Sequence, residues 1–257
     1  MIINCFYQSK FAYTIVPWQI REDLERIRRQ GADWITLNVL EQDRKAAREN
    51  IDLVMNEAQR VNLKVAFCPE RWVGIFGGVN NFPSVWTVKN MTYSLQDAQG
   101  QWVMIESGPI SDPRLEETQG FIFDKLKETF RTWPFQGIVW DRPYLPAVMD
   151  AQAYGELFDH WHRWILDHNP DALIAYLTRA NSPLQLTDRE LPALTHKLAR
   201  TVFFDHRGYT AEQTDELSET IAQLLAEPPS LCCYYDYPAN VEDPERSMKL
   251  LTAALSA

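Results

Sequence analysis

The sequence predicts a single-domain α/β protein of the (β/α)8-type TIM barrel class, incomplete or distorted, with a long insertion after its third strand. Three observations carry this. Short apolar runs alternate with amphipathic segments of helical period along the 257 residues, the pattern of parallel strands joined by right-handed crossovers. Several of the runs end in, or next to, an acid. No repeat, low-complexity tract or Gly/Ser-rich linker divides the chain, so residues 1–257 read as one domain.

Ile2 to Tyr7 is short and apolar, a first strand. From Gln19 to Gln30 the spacing of Ile20, Leu24 and Ile27 predicts a helix, with Gly31 as its stop. Trp34 to Leu40 reads as a buried strand. Ile51, Val54, Met55 and Ala58 recur with helical period between Asp43 and Val61, and Lys64 to Cys68 is the third strand. Pro69 to about Pro113 interrupts the alternation. This insertion, about 69–113, holds Gly74, Gly77, Gly78 and Pro83. It also holds an expected hairpin, Val88 to Leu95 and Gln101 to Ile105 around Asp97-Ala98-Gln99-Gly100. Loops of this length usually cover a site, and a hairpin packed on the rim is the plainer alternative. Pro113 to Phe130 is a helix and Gly137 to Asp141 the fourth strand. A helix from Ala151 to Asp167 and a strand from Ala172 to Leu177 follow. Arg200 to Asp205 is the sixth strand, Ala211 to Ala226 a helix, Leu231 to Asp236 the seventh strand, and Pro244 to Leu255 a closing helix. The pattern thus supplies seven strands rather than eight.

Composition narrows the partners. Lys plus Arg total 25 against 35 Asp plus Glu, a net charge of −10, which disfavours nucleic acid and anionic membrane surfaces. No apolar run is long enough to span a bilayer. Met1 to Tyr7 lacks a basic region leading into a long apolar stretch, so no signal peptide is read and a cytoplasmic location is expected. Nine Trp, ten Tyr and twelve Phe are a generous aromatic stock, suited to the apolar faces of sugar rings and equally to a core. Cys5, Cys68, Cys232 and Cys233 form no CxxC pair, and neighbouring Cys232 and Cys233 face opposite sides of a strand, so buried free thiols are expected.

The strongest candidate for chemistry is Asp141. Strand-forming residues carry the backbone up to it, and Pro143 cannot donate to a sheet ladder, so pairing stops where the carboxylate emerges. The C-terminal ends of barrel strands are where loops assemble active sites. Glu70, Asp205 and Asp236 end the third, sixth and seventh strands, and paired carboxylates are what glycosidic cleavage requires. Asp205 has an apolar approach in Phe203-Phe204 that raises a carboxyl pKa, while His206 and Arg207 lower it. Glu70 binds substrate hydroxyls or pairs with Arg71, and Asp236 binds substrate or ends its strand. Trp72, Phe76, Trp86 and Trp102 are stacking candidates. Tyr7, Asn38, Trp140 and Tyr144, at or near strand ends, are candidate wall residues.

Ser111-Asp112-Pro113, a long helix, and then Gly137-Ile138-Val139-Trp140-Asp141-Arg142-Pro143-Tyr144-Leu145-Pro146 resemble a pattern of glycoside-hydrolase-like TIM barrels over about residues 100–146. In that pattern an Asn/Asp-Pro turn starts the helix and the next strand ends in an acid. The chain differs at Gln136, where the pattern more often has Asp, and in the order of Arg142-Pro143-Tyr144. Asp141 on the fourth strand and Asp205 on the sixth also resemble the α-galactosidase and α-glucosidase clan. That resemblance implies Asp141 as nucleophile and Asp205 as acid/base, with a carbohydrate substrate and no cofactor.

Two other readings stand beside this one. A metal-dependent hydrolase or lyase would use the strand-end carboxylates Asp141, Asp205 and Asp236 for Mg²⁺ or Ca²⁺. His160 and His162 lie two apart on a helix, face different directions and read as a surface helix, and no HExxH occurs, so no histidine metal centre is expected. A carbohydrate-binding barrel without catalysis would keep the aromatics without needing two acids about one bond. GxSxG, GxGxxG and GxxxxGK[ST] are all missing.

Overall fold

The computed structural model describes residues 2–7, 16–29, 32–77, 82–105, 107–141, 151–178, 201–205 and 232–233; side chains of 2–7, 151–152, 154, 176–178, 201–205 and 232–233 lie outside that description. In chain order the elements are β1 (Ile2–Tyr7), α1 (Pro17–Arg29), β2 (Trp34–Val39), α2 (Asp43–Ala46), α3 (Arg48–Arg60), β3 (Lys64–Pro69) and α4 (Val85–Lys89). There follow α5 (Glu116–Thr132), β4 (Gly137–Asp141), α6 (Ala151–His168), β5 (Leu173–Thr178), β6 (Thr201–Asp205) and β7 (Cys232–Cys233). The expected helices after β6 and β7 fall outside the described residues.

Among the described residues the seven strands of the main sheet are parallel, in the order β6-β1-β2-β3-β4-β5-β7. From β1 to β5 chain order and sheet order coincide, as alternating strand and helix require. The last two strands depart from the expected succession. β6 lies beside β1, with Phe6 opposite Asp205, and β7 lies beside β5. Cα atoms of β6 and β7 come within 8 Å of one another, and no ladder joins them among the described residues.

Side-chain alternation divides the sheet into two faces. Ile35, Leu37 and Val39 of β2, Val65 and Phe67 of β3, and Ile138 and Trp140 of β4 pack in one core with Ile20, Leu24 and Ile27 of α1 and Ile51, Val54 and Ala58 of α3. Ile122 and Leu126 of α5, with Phe158, Trp161 and Ile165 of α6, complete it. Thr36, Ala66, Cys68 and Val139 fill the opposite, inner face, also fully buried. Burial on both faces explains why these strands read as nearly continuous apolar runs. Gly137 opens β4 where a Cβ would stand 2.6 Å from the Leu173 carbonyl oxygen, so its lack of a side chain lets β4 and β5 start in contact. Gln136 stitches the same end, its Oε1 accepting from the Val65 N–H at 2.8 Å.

The insertion differs from the expected hairpin in its first arm. The turn is there: Gly100 N–H donates to the Asp97 carbonyl, and Asp97 Oδ1 accepts from Gln99 and Gln101 N–H. Of the expected arm Val88 to Leu95, Val88 and Lys89 end the helix Val85–Lys89, which Ser84 Oγ caps by accepting from Thr87 N–H at 3.0 Å, and Met91–Tyr93 forms a 3-10 turn rather than a strand. The β propensity of Val, Trp and Thr loses to that cap. Among the described residues of the insertion, extended pairing is limited to the bridges Ser94–Ser111 and Gln96–Trp102 and to a ribbon of Met104–Ile105 with Gly108–Pro109.

Candidate functional site

Asp141 is the last residue of β4 and is 3% exposed. Alternation turns it away from the outer core that holds Trp140, toward the inner face. The β3–β4 ladder runs through Ala66–Gly137 and Phe67–Ile138. Above that, β3 follows β2, with Glu70 N–H donating to the Val39 carbonyl. The returning loop supplies the next partner: Gly77 N–H donates to the Asp141 carbonyl at 2.6 Å, and Arg71 N–H donates to the Gly77 carbonyl at 3.1 Å.

That loop is tightly wound. Arg71, Val73 and Gly74 all have positive φ, at 58°, 50° and 71°. For β-branched Val73 this conformation costs about 1–3 kcal/mol and persists only where the surroundings impose it. Here they do. Val73 N–H donates to Glu41 Oε1 at 2.8 Å, and the Val73 carbonyl accepts from Ser111 N–H at 2.9 Å. Glu41 also accepts from Ser84 Oγ at 2.6 Å and from Trp86 N–H at 2.7 Å, so one buried carboxylate ties β2 to the loop and to α4. Glu41→Ala strips three donors, two of them buried, of their acceptor. It is expected to lower stability to urea by about 3 kcal/mol or more and to expose residues 71–90 to proteolysis, while Glu41→Gln recovers part of the loss.

The other predicted site residues divide clearly. Asn38 is on the inner face in register with Cys68, and its Oδ1 and Nδ2 are buried without a hydrogen-bond partner among the described residues. Such a group in a structured interior calls for a ligand or water. Glu70, at the end of β3, is 1% exposed. Tyr7 and Asp205 end neighbouring strands at the same edge of the sheet as Asp141, with Tyr7 opposite Leu37; their side chains lie outside the description. Tyr144 and Asp236 lie outside the described residues. The parallel sheet therefore collects the chain positions of Tyr7, Asn38, Glu70, Asp141 and Asp205 at the C-terminal ends of its strands.

Two tryptophans expected to face substrate are core instead. Trp72 is fully buried and its indole N–H donates to the Val39 carbonyl at 2.8 Å. Trp140 is fully buried on the helix-facing side, where its indole N–H donates to His162 Nε2 at 2.9 Å. One step of alternation from Asp141 puts its ring on the other face. His162 correspondingly is 1% exposed, so α6 is not a surface helix on that side. Indole can only donate, so Nε2 carries no proton, and burial pushes the imidazole pKa down to about 3. Phe76 is likewise core, with its ring 5.1 Å from Trp140 and 6.2 Å from Phe158. Trp86 stacks between Tyr93 and Phe121. Of these four insertion aromatics Trp102 stays open, at 52% exposure.

Sequence reasoning missed Glu41, Asp43 and Gly77. Glu41 follows the apolar run of β2 as Glu70 follows β3, so the rule of strand-end acids applied to β2 finds it. Asp43 is buried, accepts from Leu40 N–H at 2.7 Å and has its carboxyl pushed up to about 6 by desolvation. Among the described residues no three of His, Cys, Asp and Glu group closely enough to hold a metal ion, and no helix is long and apolar enough to cross a membrane.

No protein-family model matches the chain, and no curated protein matches it in sequence. Solved structures do share its fold. The family-36 α-galactosidase AgaA of Geobacillus stearothermophilus in complex with raffinose has a TM-score of 0.63 at 10% identity, over 99% of this chain and 41% of that one. The α-galactosidase of Lactobacillus brevis has 0.58 at 9%, over 99% and 40%. A noncanonic maltogenic α-amylase, AmyB of Thermotoga neapolitana, has 0.56 at 13%, over 100% and 77%. The chain spans between 26% and 41% of the length of these and related α-galactosidases. At 9–13% identity the likeness is one of fold, and the fold of this chain is glycoside-hydrolase-like.

Proposed function

We propose that the protein is a glycoside hydrolase that cleaves a glycosidic bond in an oligo- or polysaccharide with two carboxylates. The observation that supports it most is the buried Asp141 at the C-terminal end of β4, in a fold shared with α-galactosidases and an amylase. In this reading Asp141 attacks, or stabilises by charge, the anomeric carbon as the bond to the leaving oxygen breaks. Asp205 delivers the proton that the leaving oxygen needs. The unpartnered amide of Asn38 takes a substrate hydroxyl beneath the reacting carboxylate, with Glu70, Tyr7, Tyr144 and Asp236 as further binding residues. The insertion, about 69–113, roofs the site, and Trp102 is its exposed stacking surface.

The test is hydrolysis of a panel of aryl and natural α- and β-glycosides, with raffinose among the first. Asp205→Asn is the informative variant, because an aryl oxide with a low pKa departs without a proton. Hydrolysis of natural oligosaccharides is expected to fall by about 10²-fold or more, and that of a dinitrophenyl glycoside far less. Equal losses on both would remove Asp205 from the acid role. Silence of the wild type across the panel, with sugars still bound, would leave a carbohydrate-binding barrel.

A further inference from the structure

We propose that Gly77 is a positioning residue for the Asp141 carboxylate, held in place by Phe76. This rests on the reading of Asp141 as the reacting group. A Cβ built on Gly77 would stand 2.7 Å from the Asp141 carbonyl oxygen, 3.0 Å from its carboxyl carbon and 3.1 Å from Oδ2. The Cα of Gly77 thus lies against one edge of the carboxylate, and its N–H fixes the carbonyl of the same residue. β3 leaves the β4 ladder below this level, so Gly77 fills the ladder position that would otherwise be open beside Asp141.

The neighbouring residue anchors the contact. Phe76 is 1% exposed and lies against Trp140, Phe158 and Trp161, with ring centroids 5.1, 6.2 and 6.3 Å away. Successive residues of β4 are therefore gripped from one loop: the Trp140 ring by Phe76 on the outer face, and Asp141 by Gly77. Behind them the left-handed turn at Arg71, Val73 and Gly74 is held by Glu41. A carboxylate so braced loses rotamers before substrate arrives, which is where proximity and orientation act.

Any side chain on Gly77 has to displace Asp141. Gly77→Ala is expected to lower kcat about 10- to 100-fold with KM changed less than about threefold, since a shift of up to an ångström at the reacting atom suffices. Phe76→Leu, which folds on a smaller side chain, is expected to give a lesser fall in kcat, again at constant KM. The discriminating comparison uses azide. In Asp141→Gly, azide forms the new bond to the anomeric carbon as an aryl oxide leaves with the electron pair of the broken bond. That rescued rate is expected to be the same with and without Gly77→Ala, because the carboxylate to be positioned is gone. A kcat of Gly77→Ala within twofold of wild type, or a fall that persists in the rescued double variant, overturns the proposal. Full hydrolysis by Asp141→Gly without azide overturns instead the reading of Asp141. If wild type hydrolyses nothing on the panel, thermal unfolding reads the brace alone. Gly77→Ala then has to lower Tm less in Asp141→Gly than in wild type, and equal losses overturn it.

Discussion

Asp141→Asn is expected to abolish glycoside hydrolysis, by about 10³-fold or more in kcat, while leaving the fold intact. The isosteric amide keeps the size and shape of the side chain, so the Gly77 backbone still fits against it. What it loses is the negative charge that meets an oxocarbenium-like centre, and a nucleophilic oxygen if a covalent intermediate forms. A factor of 10³ corresponds to about 4 kcal/mol of transition-state stabilisation. Asp141 is 3% exposed, and Asn keeps two hydrogen-bonding atoms in the same place, so Tm is expected to change little. That combination separates a reacting carboxylate from a structural one, whose loss lowers activity and Tm together. Asp141→Glu adds a methylene against Gly77 and is expected to be nearly as inactive, with Tm lowered by the clash. Measured kcat near wild type in folded Asp141→Asn would remove this residue from the chemistry.

The parts of this molecule legible in the sequence are those set by local pattern. β1 to β5 and the four long helices α1, α3, α5 and α6 follow from apolar period; the segment expected as one helix from Asp43 to Val61 breaks at Ala47 into α2 and α3, and the other helix boundaries move by up to three residues. α5 begins at Glu116 rather than Pro113 because Asp112 Oδ1 accepts from Arg114 N–H and holds residues 112–114 in a turn. Asp141 was legible because the proline two residues on marks where pairing ends. What was not legible depends on partners distant in sequence. Ser84 and Glu41, 43 residues apart, make a helix of a segment with strand composition. Trp140 reads as a wall residue until His162, 22 residues on, is seen to accept the hydrogen bond of its indole N–H. Gly77 reads as one of several loop glycines until the Asp141 carboxyl is found against it. The placement of β6 beside β1 rather than between β5 and β7 has no local signal at all.

Buried His162 and Asp43 are expected to push stability in opposite directions as pH falls, and their variants to separate the two. His162, with its folded pKa lowered from 6.5 to about 3, stays neutral in the fold while the unfolded chain takes a proton. Its stabilisation is present above 6.5 and is lost as pH falls toward 3, amounting to about 3 kcal/mol between pH 7.5 and 4.5. Asp43, raised from 3.8 to about 6, has the reverse sign. Its stabilisation is present in full below 3.8 and is lost as pH rises through 6, about 2 kcal/mol over the same interval. Wild type therefore loses only about 1 kcal/mol from pH 7.5 to 4.5, since the two contributions nearly offset. Glu57, lowered to about 2 by its hydrogen bonds to Arg21 and Arg60, loses its contribution below this interval. Asp43→Asn removes a buried charge and is expected to gain stability at pH 7.5, then to lose about 3 kcal/mol by pH 4.5 through His162 alone. His162→Phe leaves the Trp140 N–H without an acceptor, costing about 1–3 kcal/mol at pH 7.5. It is then expected to become more stable by about 2 kcal/mol at pH 4.5 through Asp43. Urea unfolding at several pH values reads both slopes. Opposite signs in the two variants follow from a neutral buried imidazole and a desolvated carboxyl, whereas parallel curves would show that neither group changes its protons on folding.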